Sequence, residues 1–253
     1  MICGGNVEKI RFFDVCEQMF ASNNLAFADF SRICEYLFHA TEIILEKNKV
    51  MNLTAICTDE EFIARHWTDA LLAEKYIPHG AKLLDVGTGG GILAIAYAAA
   101  RPDISVIALD STAKKANFVS ETAKQLSLDN LTAISARAEE LSNDKKFRES
   151  FDFVCARAVA ALPVLSELCI PFVKRGGLFC ALKGKNGAEE LEMSRVGIEK
   201  LGGKVKQDEK LMLKESVSDE SAISERHIIV IEKNAETPKN FPRRFTQITK
   251  NPL

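Results

Sequence analysis

From residue 85 the chain reads Asp-Val-Gly-Thr-Gly-Gly-Gly, directly after Leu83-Leu84, and the next apolar run closes on Leu109-Asp110. These residue types in this order suit the handling of a nucleoside cofactor. Glycine reaches left-handed backbone angles that a Cβ disfavours, and it lets a ligand lie almost against the main chain. A carboxylate such as Asp110, at the end of a second strand, can accept hydrogen bonds from both ribose hydroxyls. Three readings fit a glycine cluster: a dinucleotide site, a site for another nucleoside cofactor, and a purely structural turn. The dinucleotide turn asks for Gly-x-Gly-x-x-Gly, and Ile92 stands where its third glycine belongs. The order acidic-x-Gly-x-Gly-x-Gly from Asp85 favours the second reading.

That order resembles the cofactor turn of S-adenosylmethionine (SAM) methyltransferases, and the residues after the other strands extend the comparison. In an open parallel sheet, ligands bind beyond the carboxyl ends of the strands. After a third strand, Ser135-Ala136-Arg137-Ala138-Glu139 offers a backbone amide and a carboxylate for a purine ring nitrogen and amino group. After a fourth, Cys155-Ala156-Arg157-Ala158 puts a guanidinium at the mouth; after a fifth, Leu182-Lys183-Gly184-Lys185 adds two cations. Each has a plainer reading. Asp110 and Glu139 suit helix N-termini, Arg157 an ordinary ion pair, and the lysines a solvated strand end. Their recurrence at every strand end on one side favours a shared site.

The acceptor is narrowed by what the mouth lacks. Enzymes that methylate exocyclic base amines place Asn/Asp-Pro-Pro-aromatic after the fourth strand, where this chain has Ala156-Arg157-Ala158-Val159. Carbon methylation of pyrimidines needs an activated cysteine, and Cys155 lies inside a predicted buried strand, where a thiolate is costly. Guanine N7 needs neither a covalent nucleophile nor a base, because its lone pair is unprotonated and exposed on the major-groove edge. Arg157 is then expected to orient the base, and no catalytic general base is assigned.

The elements that must position these groups follow from periodicity. To about residue 77 the pattern is helical. Phe30, Ile33, Cys34, Leu37, Phe38, Ile44 and Leu45 share one face, and Thr58 with Glu61 makes a capping box before Phe62, Ile63, Trp67 and Leu71. From Ala81 short β-rich runs alternate with helical ones, implying parallel strands with crossover helices. Strands are expected near 82–86, 105–110, 131–135, 151–156 and 177–182, with helices near 91–101, 112–127, 161–173 and 187–201. Two final β-rich runs, 204–213 and 226–233, have no helix between them and predict an antiparallel edge hairpin. The polar stretch 214–225 is its connecting loop, with a composition that suits mobility. The expected fold is α/β: a Rossmann-like, seven-stranded mixed sheet with helices on both faces. It divides into a helical extension (1–77), a central domain (78–235) and a basic tail (236–253).

Composition sets limits on partners. With 47% hydrophobic residues the chain can build a core, and its formal charge of −2 gives no bulk attraction for a polyanion, so any nucleic-acid contact needs a local patch. The tail from Lys239 supplies one: Lys239, Arg243, Arg244 and Lys250, with no acid; a disordered basic end is the plainer reading. Cys3, Cys16, Cys34, Cys57, Cys155, Cys169 and Cys180 form no Cys-x-x-Cys pair, so buried reduced thiols are expected in a cytoplasmic protein, with no metal. No membrane anchor is expected, since the apolar run from Ile92 to Ala100 is too short to span.

A more specific resemblance lies in the ordered set Asn52-Leu53-Thr54, Arg65-His66-x-x-Asp69, Asp85-Val-Gly-Thr-Gly, Asp110-Ser111, Arg137-Ala138-Glu139-Glu140, Phe151-Asp-x-Val154-x-x-Arg157-Ala158, Ala181-Leu-Lys-Gly184 and Glu225-Arg226-His227. It is similar to the RsmG (GidB) family, from about residue 40 to the C-terminus. The family methylates N7 of one guanine in bacterial 16S ribosomal RNA. The resemblance implies SAM contacts at Gly87, Ile92, Ala138, Glu139 and Arg157, to which the ribose argument adds Asp110. RNA contacts are expected at Arg65, His66, Lys183, Arg243, Arg244 and Lys250, with 16S RNA or the small ribosomal subunit as partner of a monomer. The chain departs at Ala94, where the family turn often has glycine, and at Thr246 and Ile248 in the tail. A SAM enzyme for small molecules and a non-enzymatic RNA-binding assembly factor are the competing readings.

Overall fold

The computed structural model describes residues 3–56 and 58–253, with side chains from Glu8 onward, so the readings of Cys57 and of the Cys3 side chain lie outside the described residues. Seven strands form one sheet in the order β3-β2-β1-β4-β5-β7-β6. They are β1 (Lys82–Val86), β2 (Ser105–Asp110), β3 (Leu131–Ser135), β4 (Phe151–Arg157), β5 (Val173–Lys183), β6 (Gly203–Lys214) and β7 (Ile223–Lys233). The first five are parallel; β7 runs antiparallel to β5 and to β6, forming the edge hairpin that the two final β-rich runs predict.

The strands sort their side chains with period two. Leu83, Phe153, Cys155, Cys180, Ile228 and Val230 join one buried cluster, while Leu84, Val154, Phe179, Ala181, Ile229 and Ile231 join the other. The first cluster is covered by α5 (Ile92–Ala100), α6 (Ala113–Gln125) and the N-terminal helices α1 (Cys3–Ser22) and α2 (Phe30–Met51). The second is covered by α7 (Ala138–Leu141), α8 (Leu162–Cys169), α9 (Gly187–Lys200) and α10 (Phe245–Lys250). Helix α5 is buried along almost its whole length because it is sandwiched between the sheet and the N-terminal layer. Two buried hydrogen bonds fasten that layer: the Tyr97 hydroxyl donates to the Ala70 carbonyl (2.9 Å) and Trp67 Nε1 to Thr41 Oγ1 (2.8 Å). The N-terminal helices therefore share a core with the sheet.

Thr58 caps the next helix as its type predicts, accepting from Glu61 N at 3.4 Å. That helix is not uniform. α3 (Asp59–Phe62) and α4 (Asp69–Leu71) are separated by a π-helical turn, Ile63–Thr68. Elsewhere the structure departs from the sequence-based expectations for local reasons. The helix expected to reach 173 ends at Cys169 and tightens to a 3-10 turn over Ile170–Phe172, where Pro171 removes a donor. Strand β5 begins at Val173, earlier than its glycines suggest, and Gly176 takes φ +78° beside a register shift with β4. The loop expected over 214–225 is shorter, because both hairpin strands run further into it. Its backbone is tied down: Glu60 Oε1 accepts from Ser216 Oγ and Val217 N. Among the described residues no helix is long and apolar enough to cross a membrane.

Candidate functional site at the strand ends

Strand β1 ends at Val86, and the chain turns through Gly87, Gly89 and Gly91 at φ +72°, +59° and +83° before α5 begins. The glycines at 87 and 91 are also demanded by packing. A Cβ on Gly87 would stand 2.5 Å from Val159 Cγ2, and one on Gly91 2.9 Å from Val119 Cγ2. Asp110, at the end of β2, fastens this turn: its Oδ2 accepts from Gly89 N (3.0 Å) and its Oδ1 from Thr112 N (2.8 Å). The Asp110 carboxylate thus faces the turn with remaining lone pairs for a ligand.

A cavity of about 430 Å³ opens over the turn and is lined by Gly87, Ile92, Asp110 and Arg157, and by Asp85 and Leu53. Leu53 comes from the N-terminal layer. Asn48 holds it there by accepting from Leu53 N and Thr54 N, which sets the Leu53 side chain 3.5 Å from the position a Gly90 Cβ would take. Asp85 is buried and accepts from Thr88 Oγ1 at 2.6 Å. Burial pushes its carboxyl up to about 6, against the lowering effect of the Thr88 bond and the Arg157 charge. A buried acid in this condition gains from a cationic ligand beside it.

A smaller cavity of about 150 Å³ continues from the first along the ends of β2 and β3, lined by Gly87, Asp110, Ala138, Glu139 and Phe245. Glu139 has no side-chain partner among the described residues, leaving its carboxylate available to a purine amino group. Phe245 was not anticipated. It arrives from the C-terminal segment, and Arg137 lies 5.8 Å from its ring centroid.

A third cavity, about 460 Å³, is lined by Arg65, His66, Asp69, Arg157 and Ala158 together with residues after β5 and Arg226. It shares His66, Arg157 and Ala158 with the glycine-turn cavity. The shared wall depends on the π-helical turn. A wider turn leaves carbonyls without the usual i+4 partner, and Arg157 Nη1 donates to the carbonyls of Arg65 (3.2 Å) and His66 (3.4 Å). The same nitrogen bonds Asp69 Oδ2 at 2.8 Å, while Arg226 Nε bonds Asp69 Oδ1 at 2.7 Å. Arg226 continues to Glu215 (3.3 Å), which also takes Arg65 (2.7 Å). One chain of charges thus joins the N-terminal layer, the end of β4 and the start of β7. Ala158, at φ +56°, is held in a left-handed conformation at the same point; such strain concentrates at functional sites.

His66 is neutral at physiological pH. Burial, followed by the Arg157 charge, lowers its imidazole to about 4. Its Nε2 lies 2.7 Å from Thr54 Oγ1, and since that hydroxyl also accepts from Ile56 N, the arrangement suits a hydroxyl donating to unprotonated Nε2. Cys155 is fully buried and burial raises its thiol well above the usual range, which removes it as a nucleophile. Cys16, Cys34, Cys169 and Cys180 are buried free thiols.

The structure brings Gly87, Ile92, Asp110, Ala138, Glu139 and Arg157 to one rim, with Arg65, His66 and Lys183 beside them. The tail cations divide. Arg243 is not a free RNA-facing cation: its guanidinium forms a paired contact with the buried carboxylate of Glu167 (2.6 Å), and its own amide donates to Glu167 at 2.7 Å. Lys183, too, is committed, to Glu190 (2.7 Å) and the Ala160 carbonyl (2.9 Å). Arg244 and Lys250 are exposed, with no partner for their charged groups among the described residues. The basic tail is thus a packed segment, anchored by Arg243, by buried Phe241 and Ile248, and by Arg148 bonds to the Thr237 and Phe241 carbonyls. The sequence alone gives Asp69 and Arg226 no role. The helical spacing of Arg65, His66 and Asp69 hinted that they share a face; nothing local pointed to Arg226.

Known proteins match this arrangement. The profile of the family described as "GidB: rRNA small subunit methyltransferase G" matches residues 33–231. A "Ribosomal RNA small subunit methyltransferase G" from Clostridium novyi (strain NT) is 35% identical over 98% of this chain and 99% of its own. One of the same name from Lachnoclostridium phytofermentans is 42% identical over 84% of this chain and 86% of its own. Among solved structures, M. jannaschii TYW2 in complex with AdoMet has a TM-score of 0.52 at 17% identity, covering 71% of this chain and 79% of that one. A Bacillus cereus O-methyltransferase in complex with SAH has a TM-score of 0.51 at 17% identity, covering 77% and 90%. Likeness at that identity speaks for the fold, which is that of SAM-dependent methyltransferases. The chain belongs to the rRNA small subunit methyltransferase G family.

Proposed function

We propose that this chain transfers a methyl group from SAM to N7 of one guanine in 16S ribosomal RNA by direct in-line displacement, acting as a cytoplasmic monomer. The observation that carries the reading is the meeting of two cavities across the wall of His66, Arg157 and Ala158. One cavity has the donor and acceptor set of a nucleoside cofactor; the other has a cationic rim.

The residues fit SAM group by group. Asp110 suits the ribose hydroxyls, Asp85 the amino group, and Glu139 with the Ala138 amide the adenine edge, while Phe245 offers its ring to the purine face. When bound, SAM supplies an electrophilic methyl on a sulfonium sulfur. The chain's own task is then alignment, and holding two reactants in line can contribute up to about 7–11 kcal/mol of the barrier. No proton has to be removed from guanine N7, which matches a wall whose histidine is a weak base, lowered to about 4 and with Nε2 engaged by Thr54, and whose arginine is permanently charged. A bare guanidinium beside N7 would oppose the positive charge that develops on the base. Asp69 offsets the Arg157 charge, and this leaves the arginine a positioning role. A-form RNA hides N7 in a deep, narrow groove, so the target belongs to a loop or a distorted helix.

The test is incubation of the protein with methyl-labelled SAM and small-subunit RNA, followed by chemical scission at N7-methylguanine. The reading expects label at a single guanine. Label on another atom, or none in RNA, refutes it.

A further inference from the structure

We infer that Glu190 is the residue that selects guanine, by accepting hydrogen bonds from N1–H and the N2 amino group of the target base. The inference rests on the acceptor reading above. Two carboxylates line the 460 Å³ cavity, Asp69 and Glu190. Both oxygens of Asp69 are taken, one by Arg157 and the other by Arg226. Glu190 differs. Its Oε2 accepts from Leu162 N and from Lys183 Nζ, each at 2.7 Å, whereas its Oε1 has no partner among the described residues. The carboxylate is therefore fixed in place at one end and open at the other. Its side chain is only 18% exposed, so a base bonding to it does so largely shielded from water.

Position agrees with chemistry. His66, Arg157 and Ala158 line both the glycine-turn and the acceptor cavity, but Glu190 lines the acceptor cavity alone, with Lys183, Lys185 and Asn186. Guanine carries N7 on one edge and the N1–H and N2–H donors on the opposite one. When N7 faces the shared wall, the donor edge turns toward the part of the acceptor cavity that the cofactor side does not share, and Glu190 lines that part. Adenine presents an unprotonated N1 and no amino group at C2, so the same carboxylate would repel it. An ionised acceptor with two donors on one base is a strong discriminator, since hydrogen bonds to charged groups are the costly ones to lose.

The experiment uses 16S RNA with guanosine or inosine at the mapped target, wild-type protein and Glu190→Gln. Inosine keeps N7 and N1–H and lacks only the N2 amino group. Wild type should lose about 10- to 100-fold in kcat/KM on inosine. Glu190→Gln, which can still accept from Leu162 N, forfeits both bonds to the base, so it should lose a larger factor on guanosine than wild type loses on inosine, and a smaller factor on inosine, where only the N1–H bond is left to lose. Its dissociation constant for S-adenosylhomocysteine should stay within about twofold. Equal wild-type rates on guanosine and inosine overturn the proposal, as does a variant that loses the same factor on both RNAs, which marks a structural role. Failure of the acceptor reading looks different: wild-type protein binds the cofactor but methylates no guanine N7, and the proposal falls with it.

Discussion

The glycine-turn cavity and the acceptor cavity are built in different ways although they share a wall. The cofactor side is made mostly of main chain and of residues close in sequence: the Gly87–Gly91 turn, Asp85 two residues before it, and Asp110 clasping it through Gly89 N. The acceptor side is assembled from charged side chains far apart in sequence, with Asp69, Arg157, Arg226, Glu215 and Arg65 tied in one chain of ion pairs. Main-chain geometry at the first is set by glycine and changes little with a partner. Charges at the second pair with one another, three guanidiniums sharing two carboxylates, and the cationic excess suits a surface that must receive a polyanion.

The largest effect should come from removing the shared carboxylate. Asp69→Ala leaves two largely buried guanidiniums facing each other, and loss of one partner from such a cluster costs on the order of 3–5 kcal/mol. Urea denaturation should show this, while the folded fraction keeps its affinity for S-adenosylhomocysteine; an equal loss of affinity would erase the distinction between the two sides.

Asp85 offers a sharper contrast. Its folded carboxyl is raised to about 6, so native protein holds a proton there that the unfolded chain has released. Stability from this group is fully present below the unfolded value and is lost as pH rises through about 6. His66 has the opposite slope: lowered to about 4 by burial and Arg157, it loses stability as pH falls through that value. Asp85→Asn should therefore stabilise the protein near neutral pH by on the order of 2–3 kcal/mol, steepen its decline in acid, and weaken SAM binding. Denaturation curves between pH 4.5 and 8 read the first two effects and calorimetry the third. A variant no more stable than wild type at pH 7.5 would contradict the assignment.

Asp110→Ala should weaken SAM binding by about 1.5–3 kcal/mol, since a charged acceptor is lost. An unchanged dissociation constant would remove it from the ribose site. A milder effect is expected for Phe245→Ala, about 0.5–1.5 kcal/mol of cofactor affinity with aromatic substitutions tolerated. An affinity indifferent to residue 245 would show that the C-terminal helix merely passes the cavity. The smallest change in stability belongs to Arg244→Ala with Lys250→Ala, which should reduce RNA affinity and flatten its dependence on salt. Arg243→Ala is the control, and should destabilise the fold through Glu167.

The same contrast explains what could be read in advance. The strand-and-helix alternation, the glycine turn and the edge hairpin are local in sequence, so periodicity and turn chemistry reveal them. The acceptor wall is not local. Arg226 meets Asp69 only because β7 inserts beside β5, and the π-helical turn that presents the Arg65 and His66 carbonyls to Arg157 has no residue signature among Ile63–Thr68. Arg243 misled for a related reason: a basic tail reads as a free arm until Glu167, distant in sequence and buried in α8, is seen to hold it. Phe245 was hidden in the same segment.

Methyl transfer to guanine N7 takes place across a wall that need remove no proton. Mass-spectrometric mapping of 16S RNA from cells with and without this protein tests it most directly. One N7-methylguanine is expected in the first and none at that position in the second, restored by wild type and not by Asp110→Ala. Identical modification maps would contradict it.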